Sequence, residues 1–386
     1  MSTSDRGDRC VNGASWEDRT GRRARVRGCL LGGAIGDALG NPVEFLSLAG
    51  IRRAHGEHGV QGLLPDDEGV VGRVTDDTQM TLFTAEGLIR AHSRARAEGG
   101  GTGDGGAGPR IVRNAYLRWL DTQNHPAPPA GGGDNPVRTG RLRLEPWLYA
   151  RRAPGNACLT GLATGHVPEP TDRLGDPGPV NTGSKGCGTV MRSAPFGLVA
   201  RDAEEGFRLA YWCAQITHGH PTGAYAAGAL AAIVAYLLEG DSTAGAVLRA
   251  MELLRRHPGH EETTAALRAA VDLAAQGAPT GEKVETLGAG WVAEEALAIA
   301  VYCALVLPGA DQVARSLLLS VNHSGDSDST GAICGNLLGA RHGDVHLPPS
   351  WLVATEGRGV IAEVADDLCL EFAYAVDWPA DRYPAY

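Results

Sequence analysis

The chain has 386 residues, of which 54 are glycine, and a formal net charge of −10 at pH 7. Hydrophobic residues make up 43% of it, too many for a disordered chain, and the glycines follow no three-residue period, which excludes a collagen-like protein. The acidic balance disfavours general electrostatic binding of nucleic acid. This length allows one large domain or two ordinary ones.

The two ends of the chain and one internal segment are predicted to lie outside the packed core. Residues 1–25 are polar and lack the apolar stretch of a signal peptide, so we expect a flexible N-terminal tail. Residues 98–109 are mostly glycine, a composition typical of a linker loop. We place a single domain at 26–376, with that loop inside it, and a C-terminal tail at 377–386.

The first predicted helix of the domain carries a stripe of glycines at every fourth residue, and it should end at Asn41-Pro42. Each glycine disfavours a helix by about 1 kcal/mol relative to alanine. Close backbone packing against a second helix would offset that cost. We predict that two such stripes pack on each other and bring the acidic ends of their helices, including Glu44, together. The stripes are Gly28, Gly32, Gly36 and Gly40 in one helix, and Gly331, Gly335 and Gly339 in the other.

Two acidic clusters each precede an apolar, helix-like run. They are Thr75-Asp76-Asp77-Thr78 and Asp326-Ser327-Asp328-Ser329-Thr330. Thr, Ser and Asp are favoured N-cap residues, so helix capping with surface charge is one interpretation. Adjacent carboxylates from two helix ends would repel each other unless a cation lay between them, and their hard oxygens suit Mg²⁺ or Mn²⁺ better than zinc. The capping and metal-site interpretations both stay open at this point.

A glycine-rich loop and a histidine follow in the middle of the chain. The loop, Asn181-Thr-Gly-Ser-Lys-Gly-Cys-Gly-Thr-Val-Met-Arg192, matches neither a Walker loop nor the G-x-G-x-x-G fingerprint. Its backbone N–H groups could bind a diphosphate, and an ordinary loop is an equal alternative. His218 closes a predicted helix, where a histidine is usually a C-terminal partner of the helix or a surface residue.

The remaining pattern is helical. Apolar residues recur at a 3.6-residue period and strand-like runs are nearly absent, which predicts an all-α fold with one compact multi-helix domain and long irregular loops. The most apolar stretch, 224–238, is shorter than a membrane helix requires. The eight cysteines form no CxxC pair, which favours reduced, buried thiols in a cytoplasmic protein. The clearest helical segments are 204–218, 224–238, 242–254, 264–275, 292–307 and 312–321.

Taken in order, these motifs resemble the ADP-ribosylglycohydrolase family, which includes the dinitrogenase reductase-activating glycohydrolases. Each motif is weak alone, but five in the family's order and spacing are specific, and they span about residues 26–342. The matching pieces are Gly36-Asp-Ala-Leu-Gly40 with Glu44, Thr75-Asp-Asp-Thr78, the Gly183–Arg192 loop, Thr217-His218 and Gly325-Asp-Ser-Asp-Ser-Thr330.

The resemblance implies a compact all-α fold with two Mg²⁺ (or Mn²⁺) ions at the base of an ADP-ribose cleft. The implied ligands of the first metal are Thr75, Asp76 and Asp77. Those of the second are Asp326 and Ser329, with Asp328 bridging the two ions. Glu44 is implied to lie beside the second metal, and either it or Asp326 to act as the catalytic general base. The implied substrate-binding residues are Thr182, Gly183, Ser184, Lys185, Gly186, Cys187, Gly188 and His218.

The sequence departs from the family pattern at three of these positions. Ser329 stands where many relatives have Thr, which keeps the hydroxyl. Cys187 replaces a frequent Asn, and Lys185 stands where some relatives carry Tyr. The departures at Cys187 and Lys185 concern the details of substrate contact rather than the metal centre.

The implied activity is hydrolysis of the C1″ glycosidic bond between ADP-ribose and a modified substrate, with ADP-ribosyl-arginine on protein as the first expectation. The expected partner is an ADP-ribosylated protein or a small ADP-ribosyl adduct, acted on by a cytoplasmic monomer that binds no membrane and has no general affinity for nucleic acid. Three alternatives stay open: a hydrolase of serine- or nucleobase-linked ADP-ribose, a non-catalytic ADP-ribose-binding relative and a dinuclear phosphohydrolase.

Overall fold

The computed structural model describes residues 16–98, 108–130, 136–379 and 381–384. Within these ranges the regular structure consists of α-helices and short 3-10 helices, with two isolated β-bridges and no strand, which confirms the predicted all-α fold. The α-helices are α1 (Trp16–Gly40), α2 (Leu48–His55), α3 (Asp76–Ala97), α4 (Gly108–Gln123), α5 (Asn156–Ala163), α6 (Ala194–Val199), α7 (Ala203–Ala214), α8 (Pro221–Glu239), α9 (Thr243–Leu254), α10 (Glu261–Ala274), α11 (Gly281–Glu285), α12 (Ala293–Val306), α13 (Val313–Val321), α14 (Ser327–His342), α15 (Pro349–Ala354) and α16 (Arg358–Tyr374).

The α8 helix is apolar on all sides and lies in the core, where it packs against α6, α7, α9, α12 and α14. It has 19 residues, four more than the apolar stretch 224–238, and by length and composition it could cross a membrane. Of its most apolar window, 89% is buried inside the protein. A helix without a polar face must be covered on every side, and here neighbouring helices cover it. The helix pair 293–306 and 310–321 passes the same test only when joined across a 120° bend.

The first helix begins at Trp16, so the predicted boundary of the flexible tail at residue 25 is wrong for its last ten residues. Arg23 and Arg27 both bind the carboxylate of Asp366 on α16, and Arg22 donates to the Leu198 carbonyl at 3.0 Å. These contacts attach a polar helix to the body of the protein. Residues 1–15 lie outside the described residues.

The predicted C-terminal tail is packed against the protein, whereas most of the predicted linker lies outside the described residues. In the predicted tail 377–386, Tyr383 is buried and its hydroxyl donates to Asp367 of α16 at 2.6 Å. Trp378 donates to Glu371 at 2.6 Å, so this segment packs along α16. Residues 99–107 of the predicted linker lie outside the described residues, and α4 begins directly after them.

The two glycine stripes pack on each other, as the sequence predicts. The first helix runs antiparallel to α14, with Gly28 opposite Gly339 and Gly36 opposite Gly331. The approach is so close that a Cβ at Gly36 would lie 1.9 Å from the Gly331 carbonyl oxygen. At the end of the stripe, Gly40 meets the backbone of Ser327, which joins the C-terminal end of α1 to the N-terminal end of α14.

Candidate active site

Three carboxylates meet where α1 and α14 come together. Glu44 follows the 3-10 turn Asn41–Val43 that ends α1, while Asp326 and Asp328 stand at the start of α14. All three are buried, and one carboxylate oxygen of each lies within 4.8 Å of those of the other two. The pairing of the stripes therefore brings together two acidic segments that are about 280 residues apart in the chain.

The N-terminus of α3 is held at the same place by Asp37, a residue with no role predicted from the sequence. Its carboxylate accepts hydrogen bonds from the backbone N–H groups of Thr75 at 3.0 Å and of Thr78 at 3.1 Å, and from the Thr78 hydroxyl at 2.5 Å. Asp37 lies on α1, one turn before its end. The sequence signal for this role was the place of Asp37 between Gly36 and Gly40, because a carboxylate buried between two packed helices needs hydrogen-bond donors.

The acidic residues of α3 join the same cluster. Asp76 and Asp77 are buried, and after burial itself the Asp328 carboxylate is the strongest cause that raises the pKa of each. The Thr75 side chain accepts from the Asp77 N–H at 3.4 Å, and it offsets part of the rise in the pKa of Asp328 that burial causes. The structure thus unites the sequence-predicted residues of both acidic motifs in one cluster.

The electrostatics of this cluster are unfavourable without a counter-charge. Burial, followed by repulsion from Asp328, raises the pKa of Glu44 to about 10 and that of Asp37 to about 7. Burial also raises the pKa of Asp326 well above its usual range. Asp77 Oδ1 and Asp326 Oδ2 are buried and accept no hydrogen bond from any described residue. Orphaned carboxylate oxygens of this kind fit a divalent cation that prefers hard oxygen ligands.

Helix capping accounts for only part of this arrangement. Thr75 is the N-cap of α3 and its side chain makes the capping hydrogen bond. Asp326 occupies the N-cap position of α14, yet its side chain makes no capping hydrogen bond. Capping therefore explains one hydroxyl but not the buried carboxylates, and the metal-site interpretation is favoured.

The remaining predicted ligand, Ser329, lies among the same side chains. Its N–H donates to Asp328 Oδ1 at 2.9 Å, and its hydroxyl offsets part of the rise in the pKa of Asp326 that burial causes. The Cys187 thiol is also close to Asp326, since burial, followed by the Asp326 charge, raises the pKa of that thiol. Cys187 is therefore the point at which the glycine-rich loop reaches the acidic cluster.

The glycine-rich loop is fixed on two sides. The Cys187 N–H donates to the Trp291 carbonyl at 3.1 Å and the Ala293 N–H donates to the Lys185 carbonyl at 2.8 Å, forming a short antiparallel bridge. On its other side, the His220 N–H donates to the Ser184 carbonyl at 3.2 Å. Within the described part of the chain, the N–H groups of Gly183, Lys185 and Gly186 meet no hydrogen-bond acceptor. Such free donors suit an anionic ligand.

The loop residues differ in what surrounds them. Thr182 and Gly183 are exposed, and a Cβ at Gly183 would meet open space. A Cβ at Gly188 would lie 2.8 Å from the Cys158 sulfur, so this position has no room for a side chain. The Lys185 ammonium is bound by Glu262 and Glu294, which already pair its charge.

His218 lies beneath this loop, and its environment keeps it neutral. The α7 helix ends at Ala214, four residues before the predicted end at 218, because the chain tightens into turns with Thr217 N–H donating to the Ala214 carbonyl at 3.2 Å. Burial, followed by the Arg192 charge, lowers the pKa of His218 to about 3. A Cβ at Gly186 would lie 3.3 Å from His218 Nε2, so that nitrogen faces the loop backbone.

Hydrogen bonds behind the ring set its tautomer. Arg192 donates to the Thr217 hydroxyl oxygen at 2.7 Å. That hydroxyl lies 2.7 Å from His218 Nδ1 and 3.4 Å from the Ala214 carbonyl oxygen, and we assign its hydrogen to the shorter contact. With Nδ1 accepting, the proton of the neutral ring is on Nε2, which makes Nε2 a donor towards the loop.

Comparison with known proteins points to one family. The family model described as ADP-ribosylglycohydrolase matches residues 18–376. The chain is 25% identical over 337 residues to the ADP-ribosyl-[dinitrogen reductase] glycohydrolase of Rhodospirillum rubrum, covering 85% of this chain and 89% of that one. It is 26% identical over 369 residues to human ADP-ribosylhydrolase ARH3, covering 86% and 90% of the two chains.

A third relative and a solved structure agree with these matches. The ADP-ribosylarginine hydrolase Tri1 of Pseudomonas putida is 26% identical over 348 residues, covering 89% of this chain and 77% of that one. A solved structure described as an ADP-ribosylglycohydrolase-related protein complex superposes with a TM-score of 0.62 at 24% identity, over 91% of this chain and 99% of that one. This last likeness concerns the fold.

Proposed function

The chain belongs to the ADP-ribosylglycohydrolase family, and from that premise we propose that it is a metal-dependent hydrolase that releases ADP-ribose from modified arginine side chains. The observation that carries this proposal is the buried cluster of Glu44, Asp326 and Asp328 beside the glycine-rich loop. Two relatives are named for hydrolysis of ADP-ribosylated substrates, one of them for ADP-ribosylarginine.

The cluster offers enough oxygen ligands for two divalent ions. We propose that Thr75, Asp76 and Asp77 hold one ion and that Asp326 and Ser329 hold the other. The Asp328 charge raises the pKa of both Asp77 and Asp326, so we propose that Asp328 would bridge the ions. When bound, Mg²⁺ or Mn²⁺ would supply Lewis-acid polarisation of ribose hydroxyls and water.

The chain's own carboxylates can serve the bond cleavage in two ways. The C1″–N bond to the guanidine breaks, and a C1″–O bond to water forms. Positive charge develops on the ribose ring as the guanidine departs, and the buried carboxylates would stabilise that charge. Asp326 or Glu44 would accept the proton that the attacking water loses.

The loop Thr182–Gly188 and His218 would bind the anionic part of ADP-ribose. The free N–H groups of Gly183, Lys185 and Gly186 supply donors without bringing a charge, and His218 adds a neutral donor at Nε2. The Lys185 side chain is held by two glutamates, so we assign its contribution to its backbone N–H. We also propose a cytoplasmic location, in keeping with the free thiols of all seven described cysteines.

Product analysis tests the proposal. Peptides carrying ADP-ribose on arginine or serine, and ADP-ribosyl-guanosine, are incubated with the protein in Mg²⁺ or Mn²⁺. We expect free ADP-ribose from the arginine-linked peptide. AMP plus ribose phosphate would indicate a phosphohydrolase, and absence of any product would indicate a binding protein.

A variant pair tests the role of the cluster. Asp328→Ala should lower kcat by at least about 10³-fold, because removal of a bridging carboxylate disturbs both ion sites. Asp272→Ala removes an exposed carboxylate on α10 and should act as wild type. Near-wild-type turnover of Asp328→Ala in excess Mg²⁺ would contradict the bridging assignment.

A further inference from the structure

Two aromatic rings stack on the protein surface beside the acidic cluster. Phe45 is 73% exposed and Trp291 is 43% exposed. Their ring centroids are 5.8 Å apart with an interplanar angle of 22°. Two large apolar side chains in contact with each other and with solvent contribute little to the stability of the free protein, so this surface is suited to contact with a ligand.

Each ring belongs to a backbone segment that also forms the candidate active site. Phe45 directly follows Glu44 in the chain. Trp291 directly follows Gly290, where a Cβ would lie 3.3 Å from the Asp326 Cβ. The stacked pair therefore bridges the two segments that border the acidic cluster, at the point where the buried site meets solvent.

Hydrogen bonds hold both segments in place, so the rings are exposed but their backbones are fixed. On the Phe45 side, the Leu46 N–H donates to the Val43 carbonyl at 2.9 Å, and the Leu48 N–H donates to the Ser324 hydroxyl at 2.8 Å. On the other side, the Trp291 carbonyl accepts from the Cys187 N–H at 3.1 Å. A preorganised aromatic surface loses little conformational entropy when it binds a planar group.

The chemistry of that planar group follows from the surroundings. If the cluster holds the ribose whose C1″ bond is cleaved, the side chain on the other side of that bond must extend from the cluster towards solvent. Carboxylates stand close to both ring-bearing segments, since Glu44 directly precedes Phe45 and the Asp326 Cβ lies 3.3 Å from a Cβ built at Gly290. A third, Glu285, accepts from the Ser324 N–H at 3.1 Å. Aromatic faces and nearby carboxylates both favour a planar cation, and the arginine guanidinium is the planar side-chain cation that stays charged at neutral pH.

We propose that the Phe45–Trp291 pair binds the guanidinium group of the ADP-ribosylated arginine and so determines the preference for arginine-linked substrates. This inference rests on the proposed hydrolase function. The pair contributes contact to the departing side chain and takes no part in the bond cleavage.

The test compares two peptides of the same sequence that carry ADP-ribose on arginine or on serine. Trp291→Ala should lower kcat/KM for the arginine-linked peptide by about tenfold, the loss expected for one cation–π contact, and leave the serine-linked peptide within about twofold. Trp291→Phe keeps an aromatic face and should restore most of the loss. Val345→Ala removes a side chain that is 77% exposed beyond the opposite end of α14 and should change neither substrate.

The outcomes separate this inference from the proposed function. If Trp291→Ala loses kcat/KM equally on both peptides and ADP-ribose inhibits it more weakly, the pair only supports the structure of the site, and the inference fails. Unchanged kcat/KM for both peptides would also overturn the inference. If the wild-type protein hydrolyses only the serine-linked peptide, the inference fails while the hydrolase function stands. If it releases ADP-ribose from neither peptide, the hydrolase function fails, and equilibrium binding of the arginine-linked peptide to wild type and Trp291→Ala then decides the inference.

Discussion

The contact between the glycine stripes of α1 and α14 makes a sharp prediction about stability. An alanine Cβ at position 335 would lie 1.9 Å from the carbonyl oxygen of Gly32 and 2.4 Å from its carbonyl carbon. An ordinary C···O contact is about 3.3–3.6 Å, so the overlap is about 1.4 Å or more. Both partners are backbone atoms, and no side-chain rotation can relieve the clash. We therefore expect Gly335→Ala to push the two helices apart.

The expected cost has two parts of opposite sign. Overpacking a tight interface costs about 1–3 kcal/mol and occasionally more, and a clash between two backbones belongs at the upper end of that range. Replacing a helical glycine by alanine gains up to about 1 kcal/mol in helix propensity. Gly21→Ala, on the same α1 helix as Gly32, measures the gain in helix propensity without a clash, because a Cβ at Gly21 would meet nothing within 4 Å. The two variants should differ in free energy of unfolding by about 3 kcal/mol or more.

Urea denaturation followed by circular dichroism gives the midpoint and slope for wild type, Gly335→Ala and Gly21→Ala. Isothermal titration with Mn²⁺ provides a second readout, since separation of the helices moves Asp328 away from Glu44 and should weaken metal binding. A Gly335→Ala protein within about 0.5 kcal/mol of Gly21→Ala, with unchanged Mn²⁺ affinity, would refute the argument that the stripes position the cluster.

Three further predictions concern the cluster and the histidine. With a chelator present, the pKa of Asp37 is raised to about 7 and that of Glu44 to about 10, so the folded protein keeps protons that the unfolded chain releases near pH 4. The melting temperature should therefore fall as the pH rises from about 5.5 to about 8.5. Excess Mg²⁺ should weaken that trend, and a melting temperature that does not depend on metal would contradict the prediction. Ser329→Ala should weaken Mg²⁺ activation of turnover, whereas Ser329→Thr, which keeps the hydroxyl, should retain it, and equal activation of the two would rule out a ligand role. In ¹⁵N NMR spectra, His218 should show the neutral tautomer with its proton on Nε2. Thr217→Val removes the hydroxyl at Nδ1 and should remove the preference for this tautomer. A wild-type protein with the proton on Nδ1 would contradict the hydrogen-bond assignment.

Much of the helical fold was predictable because it depends on local patterns. A 3.6-residue apolar period marks α7 and α9, and glycines at every fourth residue predict the contact between α1 and α14. The membership of Asp76 and Asp328 in one cluster was implied by the family resemblance, because the two acidic motifs by themselves left helix capping open as an alternative.

Features that depend on distant partners were not predictable. The segment from Trp16 to Arg25 looks like a polar tail, and only the pairing of Arg23 with Asp366, 343 residues away, shows why it is helical. Asp37 stands in a recognised motif, but its role as an acceptor for the first N–H groups of α3 requires the angle between two helices. Phe45 and Trp291 carry no local signal at all, because their stacking follows from tertiary structure.

The packing of α1 on α14 and the charge of the cluster are two parts of one arrangement. The N-terminal ends of α3 and α14 both point at the cluster, and each helix dipole stabilises a nearby anion by about 0.3–1 kcal/mol, up to about 2 kcal/mol when buried. Two such ends cannot balance five buried carboxylates, Glu44, Asp76, Asp77, Asp326 and Asp328, each of which has a raised pKa. The rigid contact between the glycine stripes keeps the carboxylates close although they repel, and a divalent cation is the ligand that relieves the repulsion. Metal binding should therefore stabilise the end of the α1–α14 pair at Gly40 and Ser327 more than the end at Gly28 and Gly339, a gradient that amide hydrogen exchange with and without Mg²⁺ would detect.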